Sequence, residues 1–530
     1  LSGKLLLLAK KLSEYYCCSY GEAIEAMLPP EVRRGKEVRC SAKSGIQQPA
    51  LSKIPPVLLH DLSPDRRWDR YIRESRSALD AKKSVILLFS DIPTVMRAKV
   101  IFEKEQVQGL SVLFRKEKEE FKVWQDVRDK ENCVVLGTRS AVFAPVKNLG
   151  LIILDREDDS VYKQEQVPHY HAREAALMRS QIEGAQLILE SVSPSLQSFY
   201  LSQKKKIGYQ LVKRDKPYPE IKIIDTKRRP YAERYSKELF PRIVSDAISS
   251  SLLNKEKILI FMNRRGFATY AACHNCLKAL ECPSCNVSLV YHFDQDLLRC
   301  HHCSFKMPPP KICPNCNAGY IKYSGFGTDK IESEVARIFP QAKIGENIIV
   351  STSLILKEEK AGFDLVCCLG LDNAINRVDY MATEKVFSIL SGLVSITGKK
   401  MFILSGYPEH YCLRSILEGK PEIFYDGELK SRSQLFFPPY RHMGLVRLRG
   451  RDADKVERSA NVLFEKLMSG NKMVKTLALN PGHPHKLRGN FYWQILLSSA
   501  SPQGLSRFLK NYLKDFRYSG IIITVDIDPI

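Results

Sequence analysis

Long apolar runs are missing from this 530-residue sequence. The longest, Leu5 to Ala9 and Val85 to Phe89, fall far short of the ~18 residues that a membrane-spanning helix needs. The first is also too short for the apolar region of a secretory leader. Acidic residues are scarce: 59 Asp and Glu face 81 Lys and Arg, a formal charge of +22. That imbalance points to a polyanionic partner, nucleic acid first, against the plainer reading of a generally basic proteome. Low-complexity tracts are absent, and 44% hydrophobic with 26% charged residues exclude wholesale disorder. An initiator methionine is also missing. The chain opens on Leu1, which suggests a fragment or a start lying upstream.

At ~150 residues per domain the length implies three or four domains, each able to bury its own core. Short unbroken apolar segments recur from residue 84: SVILLF (84–89), CVVLGT (133–138), LGLIILD (149–155) and AQLILESVS (185–193). A second series follows in IKIID (221–225), KILIFMN (257–263), NIIVST (347–352), DLVCCLGLD (364–372) and KMFILSG (400–406). Unbroken apolar strands alternating with helix-prone stretches indicate parallel sheets covered on both faces, hence two α/β lobes. Residues 4–38 read as helical, a small helical or winged-helix module, and the polar, Pro-bearing 41–56 as a linker. Residues 416–530 form a further block opening near FFPPY (436–440).

Eight of the 15 cysteines lie between Cys273 and Cys316 as four C-x-x-C pairs: Cys273/Cys276, Cys282/Cys285, Cys300/Cys303 and Cys313/Cys316. Such crowding in a large chain without an export signal reads as metal binding, not disulfides. Each knuckle points two thiolates at one tetrahedral ion, so four knuckles make two closed zinc sites with no open position for catalysis. Spacing leaves the pairing open. A nested arrangement would join Cys282/Cys285 with Cys300/Cys303, and Cys273/Cys276 with Cys313/Cys316. Each loaded site carries −2, which lowers +22 to about +18, still strongly basic. His274, His292, His301 and His302 lie nearby as neighbours of the sites, since eight thiolates already satisfy two ions. The remaining cysteines read as core or half-buried thiols.

The cysteine segment resembles the zinc insertion of the bacterial replication-restart helicase family PriA. NRRGF (263–267) and GFGTDKIESEVARIFP (325–340) flank it as in that family. GTRSAVFAP (137–145), NLGLIILD (148–155), YKQEQVPHYHAREAA (162–176), FFPPY, LRGNFYWQILL (487–497) and VDIDP (525–529) extend the likeness over nearly the whole chain. The resemblance implies a superfamily-2 helicase core of two RecA-like lobes and the nested zinc pairing. Its implied layout is a winged-helix-like module at 1–50, lobe 1 at 51–205, lobe 2 at 206–265 and 320–415, a zinc insertion at 266–319 and a C-terminal α+β DNA- and partner-binding domain at 416–530. The family's 3′-end-binding domain is expected upstream of Leu1. The implied partners are branched or forked DNA, single-stranded DNA, single-strand-binding protein and other primosome proteins. A cytoplasmic monomer with no membrane contact is expected.

The ATP motifs depart from the family. Its phosphate loop, GxTGSGKT, falls here on DLSPDRRW (61–68). Such a loop needs glycines whose N–H groups close around phosphate, a Lys for the β/γ-phosphates and a Ser or Thr for Mg²⁺. Here Asp61, Pro64 and Arg66 hold the glycine positions, Arg67 the lysine position and Trp68 the threonine position. Pro64 lacks an N–H and Arg67 is no equivalent of Lys. The family's DEEH is DRED (155–158): Asp155 could still hold a metal, but Arg156 stands where Glu activates water. The family's charge-stabilising arginines have become Ile396 and Lys399. ATP binding and hydrolysis are therefore not expected, and the chain reads as a catalytically inactive, helicase-like DNA-binding protein. Two rival readings are a working 3′-5′ helicase with a divergent site and a decayed or repurposed DNA-binding chain.

DNA contact is expected to survive at Thr138 and Arg139, and in the loop carrying Lys163, Tyr170 and Arg173, where cations and aromatics interleave. Arg488 lies in a second basic, aromatic stretch, and Arg33, Arg34 and Lys36 form a further basic group. The bland alternative is that the loop residues pack the lobes together.

Overall fold

The computed structural model describes residues 1–35, 54–115, 119–228, 239–263, 269–276, 278–285, 287–292, 296–300, 303–319, 321–324, 328–358, 362–375, 379–469, 474–516 and 518–530. Cys40, Arg264 to Phe267 of NRRGF, His301, His302 and Gly325 to Gly327 lie outside the described residues.

The helix Gly3–Tyr15 starts at Ser2, whose side chain accepts from the Leu5 N–H, and buries Leu5, Leu8 and Leu12 at helical spacing. A capping box of Ser19 and Glu22 starts the next helix, Tyr20–Met27. The first helix sits between the first lobe and the C-terminal region. Tyr15 Oη donates to Asp528 at 3.0 Å, and Lys510 Nζ to the Ser13 carbonyl at 2.8 Å. The winged-helix-like module expected over 1–50 contains helices in its described part, 1–35.

Seven parallel strands form the first sheet: β1 (Val57–Asp61), β2 (Ser84–Leu88), β3 (Leu110–Leu113), β4 (Val134–Gly137), β5 (Leu149–Leu154), β6 (Gln186–Ser191) and β7 (Gly208–Val212). Their order is β3-β4-β2-β5-β6-β1-β7. Every residue of β2 and β4 is buried, as unbroken Val/Ile/Leu runs require of a sheet covered on both faces. β7, which lies beyond the expected lobe boundary at 205, pairs with β1 in this sheet.

The second lobe starts with β8 (Glu220–Asp225) and β9 (Ile258–Met262). An antiparallel sheet then interrupts it: β10 (Thr269–Cys273), β11 (Val290–His292), β12 (Leu297–Arg299), β13 (Lys306–Met307) and β14 (Ile321–Ser324). The lobe resumes with β15 (Ile348–Ser351), β16 (Phe363–Leu369) and β17 (Thr397–Ser405), giving the parallel order β15-β9-β16-β17-β8. The helix Pro421–Leu435, placed by the sequence in the C-terminal block, buries Phe424, Tyr425 and Leu429 in this lobe's core. Last comes an antiparallel sheet in the order β19-β20-β18-β21, from β18 (His442–Gly450), β19 (Val474–Leu487), β20 (Asn490–Ser499) and β21 (Ile522–Ile527). Two RecA-like parallel lobes, an inserted cysteine module and a C-terminal α+β domain are thus present. Among the described residues no helix is long and apolar enough to cross a membrane.

Candidate zinc centre and nucleic-acid interface

The eight cysteines converge in the nested pairing. Cys273, Cys276, Cys313 and Cys316 form an outer cluster, and Cys282, Cys285, Cys300 and Cys303 an inner one. Within each cluster the four sulfurs lie within 4.8 Å of one another. Sulfur separations are 3.5 Å for Cys273–Cys316, 3.8 Å for Cys276–Cys313 and 3.5 Å for Cys282–Cys303. A tetrahedral ion with Zn–S bonds of about 2.3 Å sets its ligands about 3.8 Å apart, so both clusters fit zinc. Each chain therefore provides for two zinc ions, and four thiolates per ion leave no coordination position for catalysis.

The knuckles also supply donors to the sulfurs. A backbone N–H from Lys278 holds the Cys276 thiol down at about 6, and one from Phe305 holds Cys303 at about 7. Two asparagines work reciprocally across the outer site. Asn275 N–H donates to Cys273 Sγ at 3.3 Å while its side chain faces Cys316 at 3.8 Å. Asn315 N–H donates to Cys313 Sγ at 3.4 Å, and its side chain to Cys276 at 3.5 Å. Such partners orient ligands and tune affinity.

At the phosphate-loop position the chain leaves β1, makes a turn at Pro64–Arg66 and enters the helix Arg67–Asp80. The strand–turn–helix frame is kept, and its interior is filled by the protein's own charges. Arg67 Nε lies 3.3 Å from buried Asp155, and Arg70 pairs with Asp61 at 2.6 Å. Tyr71 Oη donates toward Asp155 at 2.8 Å and Glu190 at 2.9 Å. Burial, with Asp155 nearby, pushes the Glu190 carboxyl up to about 8. Trp68 packs its ring on Phe89 and Tyr71 in the first lobe's core, with the Arg67 guanidinium 5.0 Å from its ring centre. On the far lobe Ile396 packs into the core, and Lys399 reaches away to Glu256 (2.6 Å) and Asp364 (3.3 Å).

The lobes meet through direct polar bonds. Asp158 accepts from Ser191 (2.6 Å) and Ser193 (3.2 Å) of the first lobe and from Ser388 (2.6 Å) of the second. Burial pushes its carboxyl up to about 6. Arg156, with a left-handed φ of 51°, donates across the cleft to the Leu356 carbonyl at 3.1 Å. Glu384 accepts the Leu196 N–H at 2.8 Å.

The residues expected to touch DNA separate into two groups. Lys163, Tyr170 and Arg173 are buried. Lys163 Nζ lies 2.9 Å from Asp526 and donates to the Asp528 carbonyl at 3.0 Å, so it ties its loop to the terminal VDIDP segment. Tyr170 packs edge-on against Phe143 at 5.0 Å. Arg173 binds Glu157 (3.0 Å), Ser195 (2.7 Å) and Gln197 (2.8 Å). The physical reason is that a long amphipathic side chain at a domain junction gains more from carbonyls and carboxylates already oriented there than it loses in hydration. Thr138 and Arg139 are half-buried and line an open cleft with Arg33, Arg115 and one edge of Tyr170, beside Glu22, Glu25 and Glu165, and Arg139 Nη1 also donates to the Lys163 carbonyl at 2.6 Å. Gly137 permits the sharp exit from β4, since a Cβ there would lie 2.1 Å from the Leu113 carbonyl oxygen. Arg488 is exposed at the turn between β19 and β20, outside that cleft.

The family model described as the PriA DNA helicase Cys-rich region domain matches residues 282–308, and that of the primosomal protein N C-terminal domain matches 433–530. The replication restart protein PriA of Synechocystis sp. is 29% identical over 96% of this chain and 66% of its own length. Those of Bacillus subtilis (26%; 89% and 63%) and Chlamydia pneumoniae (28%; 90% and 69%) match similarly. The chain is similar in sequence to the PriA replication restart proteins. It spans about two thirds of the length of these three proteins. A DEAD box protein from Methanococcus jannaschii matches at 13% identity and a TM-score of 0.31, over 69% of this chain and 86% of that one.

Several residues of this PriA-like chain escape a reading by motif. Asn275 and Asn315 carry a usable signal, because both outer knuckles, CHNC and CPNC, hold Asn just before the second cysteine. Arg115 in a mixed charge run, and Tyr71 and Glu190 in an ordinary helix and strand, carry none. Their partners lie too far away in sequence to be read.

Proposed function

We propose that this chain is a replication restart protein that binds stalled or branched DNA and recruits other primosome proteins without hydrolysing ATP. The observation that carries this reading is the Arg67–Asp155 ion pair at the place where phosphate and its metal would have to sit. A nucleotide would have to break that pair, and a metal arriving with it would have to replace Arg67 as the counter-charge of buried Asp155. The neighbouring lobe junction supports the same view, because Asp158, Arg156 and Glu384 spend their hydrogen bonds on joining the lobes.

For DNA, we assign phosphate contact to Thr138 and Arg139 with Arg33, and separately to Arg488. Lys163, Tyr170 and Arg173 serve by holding the loop in shape. The domain layout set out from the sequence is our division of the chain, with lobe 1 extended through β7, the zinc module through β14 and the helix Pro421–Leu435 moved to lobe 2. Single-strand-binding protein and other primosome proteins are the partners of this reading, a monomer its state and the cytoplasm its place.

A working motor with a divergent site has one observation in its favour: a cleft of about 580 Å³ between the lobes, with Arg67, Arg156, Lys216 and Lys357 in its wall. Against it, six carboxyl groups share that wall: Asp65, Asp155, Asp158, Glu190, Glu358 and Asp364. The deciding experiment is ATP hydrolysis by the zinc-loaded protein with and without saturating forked DNA, run beside fork binding. Fork binding without turnover is expected. Fork-stimulated turnover would overturn the reading.

A further inference from the structure

The zinc module and the C-terminal sheet are distant in sequence but meet at one point. β19 and β20 form a long hairpin whose turn, Arg488–Gly489, is left-handed at both residues, with φ of 50° and 77°. Two positive φ values make the tight turn that matches strand twist. The turn lands on the inner cysteine cluster. Leu487 packs against the module's core of Leu280, Leu289 and Leu298. Lys486 Nζ donates at 3.4 Å to the carbonyl of Pro283, which lies between Cys282 and Cys285. The Arg488 backbone N–H donates to the sulfur of Cys285.

The outer cluster is different. Its sulfurs take their donors from Asn275, Asn315, Lys278 and Ala318, all within the module itself. Only the inner cluster, among the described residues, takes a donor from another domain. A loaded four-cysteine site carries a charge of −2, and an N–H aimed at a thiolate stabilises that charge without competing for the metal.

We infer that the tip of the β19–β20 hairpin is the outer layer of the inner zinc site, so that zinc held by Cys282, Cys285, Cys300 and Cys303 fixes where the C-terminal domain sits. The outer ion stabilises the module alone. The coupling is reciprocal, as any linkage between two binding events must be. Hairpin docking raises inner-site affinity, and inner-site zinc orders the hairpin.

The test uses the full, zinc-loaded chain. In Leu487→Ser, transfer of zinc to a chromophoric chelator should show one ion bound about 10- to 100-fold more weakly and the other unchanged, the range typical of lost ligand-supporting contacts. Amide exchange at residues 484–492 is then compared in Cys300→Ser and Cys276→Ser. Protection should be lost when the inner site is broken and kept when the outer one is. Unchanged zinc transfer in Leu487→Ser would overturn the inference. So would equal loss, or equal retention, of hairpin protection in the two cysteine variants, and that arm holds even where Leu487→Ser folds poorly.

Discussion

Tyr71 has one hydroxyl proton and two carboxyl neighbours, Asp155 and Glu190. A proton on Glu190 resolves the conflict. The acid donates to the Tyr71 oxygen, Tyr71 donates to Asp155, and Arg67 balances the Asp155 charge. Because the folded-state value of Glu190, about 8, is raised above its ordinary 4.5, its contribution is fully present below 4.5 and is lost as pH rises to about 8. Glu190→Gln keeps a donor but cannot ionise. Thermal melts between pH 5 and 8 should therefore show the wild type losing stability, on the order of a few kcal/mol, relative to the variant. Parallel melting curves across that range would refute the buried proton.

Zinc knuckles act at the scale of the element. The strands of the cysteine module are two to five residues long, too short to support a core, and the cysteines Cys282, Cys285 and Cys300 are themselves part of its buried cluster. Metal therefore supplies most of the module's folding energy. Cys282→Ser should lower bound zinc from two ions per chain to one and loosen the second lobe into which the module is inserted. Elemental analysis of the purified protein measures this, and two ions retained would refute the ligand assignment. At this scale the sequence was easily legible in the four C-x-x-C spacings and in the largely apolar strands β2, β4, β9 and β16. It was less legible at β3 and β7. Both are short or half-exposed edge strands, where partial burial dilutes the apolar signal.

Over the whole molecule, the charge of +22 favours a polyanionic partner, and on the proposed function the salt dependence of DNA binding counts the phosphates that the protein neutralises. If Arg139 meets a phosphate, Arg139→Gln should weaken fork binding and reduce the slope of log affinity against log salt by about 0.9. Arg139→Lys, which keeps the charge, should keep the slope. Titrations at several salt concentrations decide this, and an unchanged slope in Arg139→Gln would remove Arg139 from the interface.

Ligand type and local period are properties of neighbouring residues. The sequence alone therefore determined the two zinc sites, the two parallel-sheet lobes, the basic character and the departure of DLSPDRRW from a phosphate loop. Which cation of a basic loop faces water depends on what the rest of the chain brings beside it. Lys163 meets Asp526 across 363 residues, and Arg488 meets Cys285 across 203. Only the tertiary structure could decide that the aromatic-rich loop is tied down inside, that Asp158 joins two lobes, and that a C-terminal hairpin rests on the inner cysteine cluster. Desolvation and hydrogen-bond geometry, which settle such questions, exist only once the chain has folded.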